Sequence, residues 1–172
     1  ENIDVVRINS YPQFNAVYEF INLHIDYRDK YLAGNEDYKD KLCELEKQFK
    51  GLDSKPSEPT IYRAVALDSL TEIQHYAMYM VLGVDLNNTK LDADPETATR
   101  QDWGKNAELI RKLVRTFRDL KIHVFFNCLE KRDKDDSGAV QVVPKLPGQL
   151  AGDIPGLVDV VAKLYVTDDA ET

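Results

Sequence analysis

One stretch of the chain, residues 60–73 with the sequence TIYRAVALDSLTEI, constrains the fold more than any other. Residues 61–67 form a nearly continuous apolar run, which is typical of a parallel strand that is covered on both faces. Asp68 follows where this strand should end, and Ser69 with Glu72 matches the S-x-x-E capping box of a helix start. The stretch therefore predicts a strand, a turn at an acid and a helix. The apolar residues that continue with helical spacing are Leu70, Ile73, Ala77, Met80 and Val84.

Two roles for Asp68 follow from its position. Ligand-binding groups of open α/β sheets gather at the carboxyl ends of the strands, so an acid here is well placed for chemistry. A buried strand that ends in Asp is similar to the Walker B element of P-loop NTPases, whose Asp helps to hold the Mg²⁺ that bridges the nucleotide phosphates. The alternative is structural, because Asp also solvates turns and caps helices. Glu72 is better explained as a capping partner than as a catalytic base.

Composition excludes several classes of protein. The 172 residues suffice for one domain with a sizeable core, and 43% hydrophobic with 30% charged residues fits a soluble globular protein. No apolar run approaches the length of a membrane span. Cys43 and Cys128 are isolated from each other, which suits a reducing compartment such as the cytoplasm. The net charge of −8 argues against a general nucleic-acid coat but allows a local basic site.

The residues before the central strand predict a short strand and two helices. Residues 3–8 (IDVVRI) are rich in β-branched side chains, and residues 14–25 carry apolar side chains at helical spacing. Residues 36–50 predict a second, strongly charged helix, and residues 51–59 a polar linker. We expect a helical hairpin inserted at residues 26–59. A surface insertion is favoured over a coiled-coil partner site, because the apolar stripe is too short for sustained heptads.

The residues after the central helix predict a loop, a long helix and a second buried strand. Residues 86–101 are polar and predict a surface loop, and residues 102–120 carry an apolar face at helical spacing. Residues 122–128 (IHVFFNC) predict a strand in which Asn127 again places a polar group at a carboxyl end. Any one of three arginines of the long helix could act as an arginine finger, and the sequence does not say which: Arg111, Arg115 and Arg118.

A turn-rich segment at residues 130–150 predicts a β-hairpin with its tip at residues 136–138. Its charges leave two interpretations open, a solvated hairpin or a loop that contacts a polyanion, because three aspartates offset the cations. A last strand is expected within residues 158–166. The cations of the hairpin segment are Lys131, Arg132, Lys134 and Lys145.

Six motifs in a fixed order resemble a known family. They are IDVVRI at Ile3, VALDSLTEI at Val65, QDWGKNAELIRKLVRTFRDL at Gln101, HVFFN at His123, DDSG at Asp135 and PGLVDVVAKLYV at Pro155. In this combination they resemble the phage-encoded RecA-like P-loop ATPases, among them the single-strand-annealing recombination ATPases. The resemblance covers nearly the whole chain apart from residues 26–59. It implies a single RecA-like α/β domain over residues 1–172, a mostly parallel sheet flanked by helices, with that helical hairpin as an insertion.

The resemblance also implies a nucleotide site that uses ATP and Mg²⁺. Asp68 matches the Walker B acid, which would hold Mg²⁺ through water, and Asn127 and Cys128 match the sensor of the γ-phosphate. Asp68 and Asn127 would be the catalytic pair, and Ser69 and Cys128 would complete the nucleotide-binding set. Cys128 departs from the polar residue that is more common at this position, which puts sensing through it in doubt.

For partners, the resemblance implies single-stranded DNA and further copies of the chain. Residues 130–150 sit where RecA-like proteins carry a mobile DNA-contacting loop, so Lys131, Arg132, Lys134 and Lys145 are the expected DNA contacts. The arginine finger would act on a neighbouring subunit of a homo-oligomer. The implied function is ATP hydrolysis coupled to single-stranded DNA binding in phage recombination or replication, in the cytoplasm of the bacterial host.

The largest departure from the family is an absence. No G-x-x-x-x-G-K-[ST] occurs in the sequence, so the phosphate cradle and its lysine are missing. We expect residues 1–172 to be the C-terminal part of a longer chain and to be inactive in ATP hydrolysis on their own. The alternative function is a scaffold or assembly module, derived from an ATPase, that no longer hydrolyses ATP. The sequence encoded before Glu1 would discriminate between the two.

Overall fold

The computed structural model describes residues 3–84, 97–134 and 138–164, and within them the chain is an α/β protein, as predicted. The helices and strands follow one another as α1 (Gln13–Leu32), α2 (Asp37–Lys50), β1 (Ala64–Leu67), α3 (Leu70–Leu82), α4 (Arg100–Arg118), β2 (His123–Phe126), β3 (Glu130–Lys134), β4 (Val140–Pro144) and α5 (Leu150–Asp153), with a 3₁₀ turn at Pro155–Leu157. The bounds of α3 and α4 agree with the predicted central and long helices to within about two residues, and β3 with β4 spans residues 130–144 of the predicted hairpin segment 130–150.

The central strand β1 pairs with β2 in parallel, as the two apolar runs predicted. Alternate side chains of this pair, such as Leu67 and Phe126, face the core that α1, α3 and α4 share. The opposite face is open, since Ala66 is exposed and Phe125 is 57% exposed. The prediction of a strand covered on both faces was therefore wrong for the described residues. An unbroken apolar run cannot reveal this, because it carries apolar side chains to both faces whether or not both are covered.

The helical hairpin is formed by α1 and α2, which pack against each other across a turn at residues 33–36. Gly34 has a φ of 95°, a conformation that favours glycine and lets the chain reverse. The rings of Phe20 and Phe49 stack at 3.9 Å between centroids and hold the two helices together. Helix α1 runs unbroken through residue 26, and its first half belongs to the main core. That residues 26–59 are an insertion into a RecA-like core stays a prediction.

The long helix α4 is the other wall of the core. Thr99 and Asp102 form a complete capping box at its start, which satisfies backbone donors that the first turn leaves free. Its buried face packs against α3, where the side chains of Gln74 and Asn106 hydrogen-bond in the interior. On α3 the buried methionine is Met78, whereas Met80 of the predicted stripe is partly exposed. The side chains of α4 that are buried are Asn106, Ile110, Leu113, Val114 and Phe117.

The predicted first strand is not formed. Residues 3–9 lie outside every helix and strand, and the side chains of Ile3 and Val5 are exposed. A strand needs a neighbour for its backbone hydrogen bonds, and among the described residues β1 pairs with β2 alone. Residues 158–164, the described part of the predicted last strand, likewise lie outside every helix and strand. The sheets of the described chain are therefore one parallel pair and one antiparallel pair, β3 with β4.

Parts of three predictions lie outside the described residues. They are most of the polar loop at residues 86–101, the hairpin tip at Asp136 and Ser137, and the end of the last strand at residues 165–166. Within the described ranges, no helix combines the length and the apolar character that a membrane crossing requires.

Candidate functional site at the carboxyl edge of the parallel strands

The parallel pairing of β1 and β2 brings two predicted site residues to one edge. Leu67 and Phe126 are register partners, so Asp68 and Asn127 are the next residues along the two strands. The backbone N–H of Asn127 donates to the carbonyl of Leu67 at 3.0 Å, and the N–H of Leu70 donates to the carbonyl of Asn127 at 2.8 Å. Both side chains are exposed, and neither makes a hydrogen bond or ion pair with the described residues. We call this pair the Asp68–Asn127 edge.

Ser69, and not Asp68, caps helix α3. The backbone of Ser69 is extended, and its Oγ accepts the N–H of Glu72 at 3.4 Å. The peptide bond between Asp68 and Ser69 is cis. Because the cap of α3 comes from Ser69, the carboxylate of Asp68 is not needed for helix capping. Glu72 takes part through its backbone N–H, so the cap of α3 is half of the predicted capping box.

The edge suits the metal side of a Mg²⁺–nucleotide complex. Mg²⁺ prefers oxygen ligands, keeps several waters and is commonly held by one or two carboxylates together with substrate phosphates. Asp68 offers one free carboxylate, and no group of three or more metal-binding side chains occurs among the described residues. The edge therefore fits a Mg²⁺ ion that is held through water. The phosphate side does not fit in the same way, since the sequence has no phosphate-binding loop.

Cys128 points beneath the edge toward a residue that the sequence did not single out, Thr71. The Sγ of Cys128 lies 3.2 Å from Thr71 Oγ1. The same oxygen accepts the backbone N–H of Leu129 at 3.2 Å and lies 3.3 Å from the carbonyl of Lys145, to which it donates. Thr71 is 7% exposed and belongs to the first turn of α3. The sequence feature that could have identified Thr71 is a polar side chain on the buried face of a helix that starts beside the site.

The register of the hairpin separates the four predicted DNA-binding cations. Arg132 pairs with Val142 and Lys134 with Val140, so these four side chains lie on one face of the hairpin. Val140 is 63% exposed and Val142 is 45% exposed, and neither cation forms an ion pair with the described residues. We call this surface, made of Arg132, Lys134, Val140 and Val142, the basic–valine face.

The other two cations of the hairpin segment are placed differently. Lys131 lies on the opposite face of β3 and forms an ion pair with Asp133 at 3.0 Å, which lowers the pKa of Asp133. Lys145 follows β4 at the base of the hairpin, where its N–H donates to the carbonyl of Leu129 at 2.6 Å. Glu130, at the base of β3, pairs with Lys163 at 2.7 Å. Among the described residues, the cations of β3 that lack an ion pair therefore lie on the basic–valine face.

The three arginines of α4 also differ in their partners. Arg111 binds Asp153 through two nitrogens, at 2.9 and 2.5 Å, and Glu108 at 2.5 Å, and the Asp153 hydrogen bonds are the main reason that its pKa is raised. Arg118 binds Asp119 at 2.8 Å. Arg115 is exposed and forms no ion pair with the described residues. Of the three predicted arginine-finger candidates, Arg115 alone has a guanidinium that bonds to none of the described residues.

A second polar cluster holds the segment that leads into β1. His24 is 2% exposed, and its Nε2–H donates to the carbonyl of Thr60 at 2.9 Å, while its Nδ1 is buried without a partner. Burial lowers the pKa of His24, against the opposing effects of the Thr60 bond and of Glu46. Glu46 accepts the N–H and the hydroxyl of Thr60 at 3.0 and 2.6 Å, and Lys50 Nζ at 2.5 Å. Burial would raise the pKa of Glu46, but these bonds outweigh it and the pKa is lowered.

Comparison with known proteins gives one match. A family model described as an AAA domain matches residues 1–171, which include every candidate site residue. No curated protein matches the chain. No solved structure matches it either.

Proposed function

The chain belongs to the AAA domain family, whose members are ATPase-like proteins of the P-loop class, and we propose that it supplies the Mg²⁺ and γ-phosphate contacts of an ATPase site. One observation carries the proposal. The parallel pair β1–β2 places Asp68 and Asn127 next to each other at its carboxyl edge, and neither side chain bonds to any other described residue. This edge is where open α/β sheets bind their ligands.

Each residue of the edge has a distinct role in this proposal. Asp68 would hold Mg²⁺ through water with its carboxylate, and the ion would supply positive charge that offsets the charge of the phosphates. The Asn127 side chain can donate its amide hydrogens to a γ-phosphate oxygen, because none of the described residues accepts them. Ser69 fixes the start of α3. Cys128 is turned toward Thr71, so it acts by holding the backbone after Asn127 rather than by touching the nucleotide.

The test is the substitution Asp68→Asn in the complete natural polypeptide that contains residues 1–172. We expect Mg²⁺-dependent ATP turnover to fall by about 10²-fold or more, the usual cost of removing one electrostatic contact to the reacting group. The free energy of unfolding should change by less than about 0.5 kcal/mol, because Asp68 is exposed and has no partner to lose. Asp53→Asn, an exposed acid of the linker, is the matched control and should leave both quantities unchanged.

A structural role for Asp68 gives a different result. In that case the variant would lose much of its thermal stability while each folded molecule still turned over ATP at the normal rate. That outcome would show that Asp68 is a structural turn residue and not part of an ATPase site.

The proposal extends to single-stranded DNA, bound by the β3–β4 hairpin during DNA recombination or replication of the phage type. What supports it is the basic–valine face, whose two cations form no ion pair with the described residues, on a chain whose net charge is −8. Cations that track a phosphate backbone give affinity without reading base sequence, which is what a recombination ATPase requires. Arg115 supports the further proposal of a homo-oligomer, in which this guanidinium reaches the nucleotide of a neighbouring copy.

The alternative is a scaffold of the same fold that binds partners without hydrolysis. The observation that favours it is the absence of a G-x-x-x-x-G-K-[ST] motif from the sequence. The Asp68 experiment separates the two, since a scaffold would show no Mg²⁺-dependent turnover in the wild-type polypeptide at all.

A further inference from the structure

We propose that Thr71 is a positioning residue that couples the Asp68–Asn127 edge to the β3–β4 hairpin, so that a nucleotide bound at the edge changes the affinity of the hairpin for single-stranded DNA. The inference rests on the proposed function and names a regulation of that same site. Neither the family match nor the sequence motifs single out Thr71.

The hydroxyl of Thr71 has three partners from two separate parts of the chain. A hydroxyl offers one donor and two acceptor positions. Thr71 Oγ1 donates to the carbonyl of Lys145 at 3.3 Å and accepts the N–H of Leu129 at 3.2 Å, and Cys128 Sγ lies 3.2 Å away at the remaining position. These partners belong to the segment after β2 and to the base of the hairpin. One buried side chain of α3 therefore joins both.

Thr71 is also tied to the edge by a short path. It lies three residues after Asp68, in the first turn of the helix that Ser69 caps. The residue before it, Leu70, donates its N–H to the carbonyl of Asn127 at 2.8 Å and is fully buried. A shift of Asn127 or of the Asp68 turn therefore moves the first turn of α3, and the hydroxyl of Thr71 moves with it.

The base of the β3–β4 hairpin is attached to the core, so a movement of the base changes the orientation of the hairpin. The N–H of Lys145 donates to the carbonyl of Leu129 at 2.6 Å and closes the base, and Leu146 next to it is buried in the core. The basic–valine face lies further out on the same two strands. Because Thr71 bonds to both Leu129 and Lys145, a displacement of its hydroxyl reorients the two strands together.

The test compares Thr71→Val with Thr71→Ser in the complete natural polypeptide. Valine keeps the shape and removes the hydroxyl, whereas serine keeps the hydroxyl. Thr116→Val is the matched control, because Thr116 is a half-buried threonine of α4 away from the hairpin. The quantity measured is the ratio of single-stranded DNA affinities with and without Mg²⁺ and a non-hydrolysable ATP analogue. Allosteric coupling is commonly about 5- to 150-fold, so we expect Thr71→Val to reduce the ratio at least about fivefold.

A second measurement tests the hydrogen bond between Leu129 and Thr71 directly. Amide hydrogen exchange at Leu129 should quicken in Thr71→Val and stay slow in Thr71→Ser and Thr116→Val, because the Leu129 N–H donates to this hydroxyl. In the wild type, the nucleotide analogue should change the exchange rates at Leu129 and Lys145. This readout needs no substitution, so it stays decisive even where Thr71→Val does not fold.

Three outcomes would overturn the inference. The first is a Thr71→Val protein that melts at a lower temperature yet keeps the wild-type affinity ratio, since Thr71 would then be structural only. The second is an equal loss of the ratio in Thr71→Ser and Thr71→Val. The third is a wild type that binds nucleotide and DNA independently, which leaves the proposed ATPase intact. A wild type that binds no nucleotide at all would refute the proposed function as well.

Discussion

Removing the two cations of the basic–valine face is the sharpest test of the DNA-binding hairpin. The double substitution Arg132→Ala/Lys134→Ala deletes both charges, which lie on the same face and are free of ion pairs with the described residues. Lys131→Ala is the matched control on the same strand. Lys131 faces the other way and is neutralised by Asp133 at 3.0 Å, so its loss should matter much less. The sequence alone predicts Lys131 to be an equal DNA contact, and its ion pair with Asp133 is what distinguishes it from Arg132 and Lys134.

The expected magnitude follows from the number of phosphate contacts. Each contact to a single strand contributes about 0.7 to the slope of log affinity against log salt, so two contacts contribute about 1.4. Over a fourfold rise in salt, the wild type should then lose about sevenfold more affinity than the double variant. The thermal midpoint should not change, because both side chains are exposed at the surface of β3.

The assay is single-stranded DNA affinity of the complete natural polypeptide by fluorescence anisotropy, at four or more salt concentrations and with several base sequences. The loss should be similar for all sequences, since phosphate contacts do not read bases. An unchanged salt slope in the double variant would refute the assignment of DNA binding to this face. An equally large effect of Lys131→Ala would show that the hairpin acts through its total charge and not through one face.

Two further predictions concern His24 and Arg115. The pKa of His24 is lowered in the folded chain from its ordinary value of 6.5. Below pH 6.5 the unfolded chain therefore binds a proton that the folded chain does not bind. The free energy of unfolding should fall as the pH drops from 6.5, by at most about 1.4 kcal/mol per pH unit. In the variant His24→Gln, the free energy of unfolding, measured with urea, should depend less on pH in this range. The stability that Glu46 contributes is lost only at more acidic pH, because its pKa is lowered from 4.5. An unchanged pH dependence in the variant would exclude His24 as its source. Arg115→Ala should reduce ATP turnover of the oligomer about 10³-fold, as for other arginine fingers, with Lys112→Ala as the control. Equal turnover in both variants would exclude Arg115 from the neighbouring site.

Local patterns were enough to predict most of the helices and the two parallel strands. The helices α1 and α4 have long apolar periodicities, and the strands β1 and β2 are apolar runs bounded by polar residues. The strand-end rule predicts a polar group at the carboxyl end of each strand, and the register of β1 and β2 brings Asp68 and Asn127 to a common edge. The predicted strand at residues 3–8 failed because its composition favours a strand but cannot supply the neighbour that a strand needs.

Contacts between distant residues decided the parts of the site that the sequence did not resolve. Arg111 is engaged by Asp153, which lies 42 residues away, and no spacing rule connects the two. Cys128 and Lys145 are 57 and 74 residues from Thr71, so the sequence does not distinguish Thr71 from any other threonine in the first turn of a helix. The separation of Lys131 from Arg132 follows from the alternation of side chains along β3. The cross-strand neighbours of each cation depend on the register of β3 and β4, which the charges do not fix.

The bonds around β1 divide the protein into a fixed side and an adjustable side. Before β1, His24 and Glu46 hold Thr60 from two helices with buried polar bonds, and Arg28 donates to the carbonyl of Tyr62 at 3.1 Å. After β1, none of the described residues bonds to the side chain of Asp68. Helix α3 is joined there by the N–H of Leu70, which donates to the carbonyl of Asn127, and by the single hydroxyl of Thr71, which bonds to both strands at the hairpin base. Buried bonds from several elements resist displacement, whereas a displacement of this one hydroxyl acts on both strands of the hairpin base. A ligand at the Asp68–Asn127 edge would therefore move the hairpin side of the molecule more readily than the helical-hairpin side.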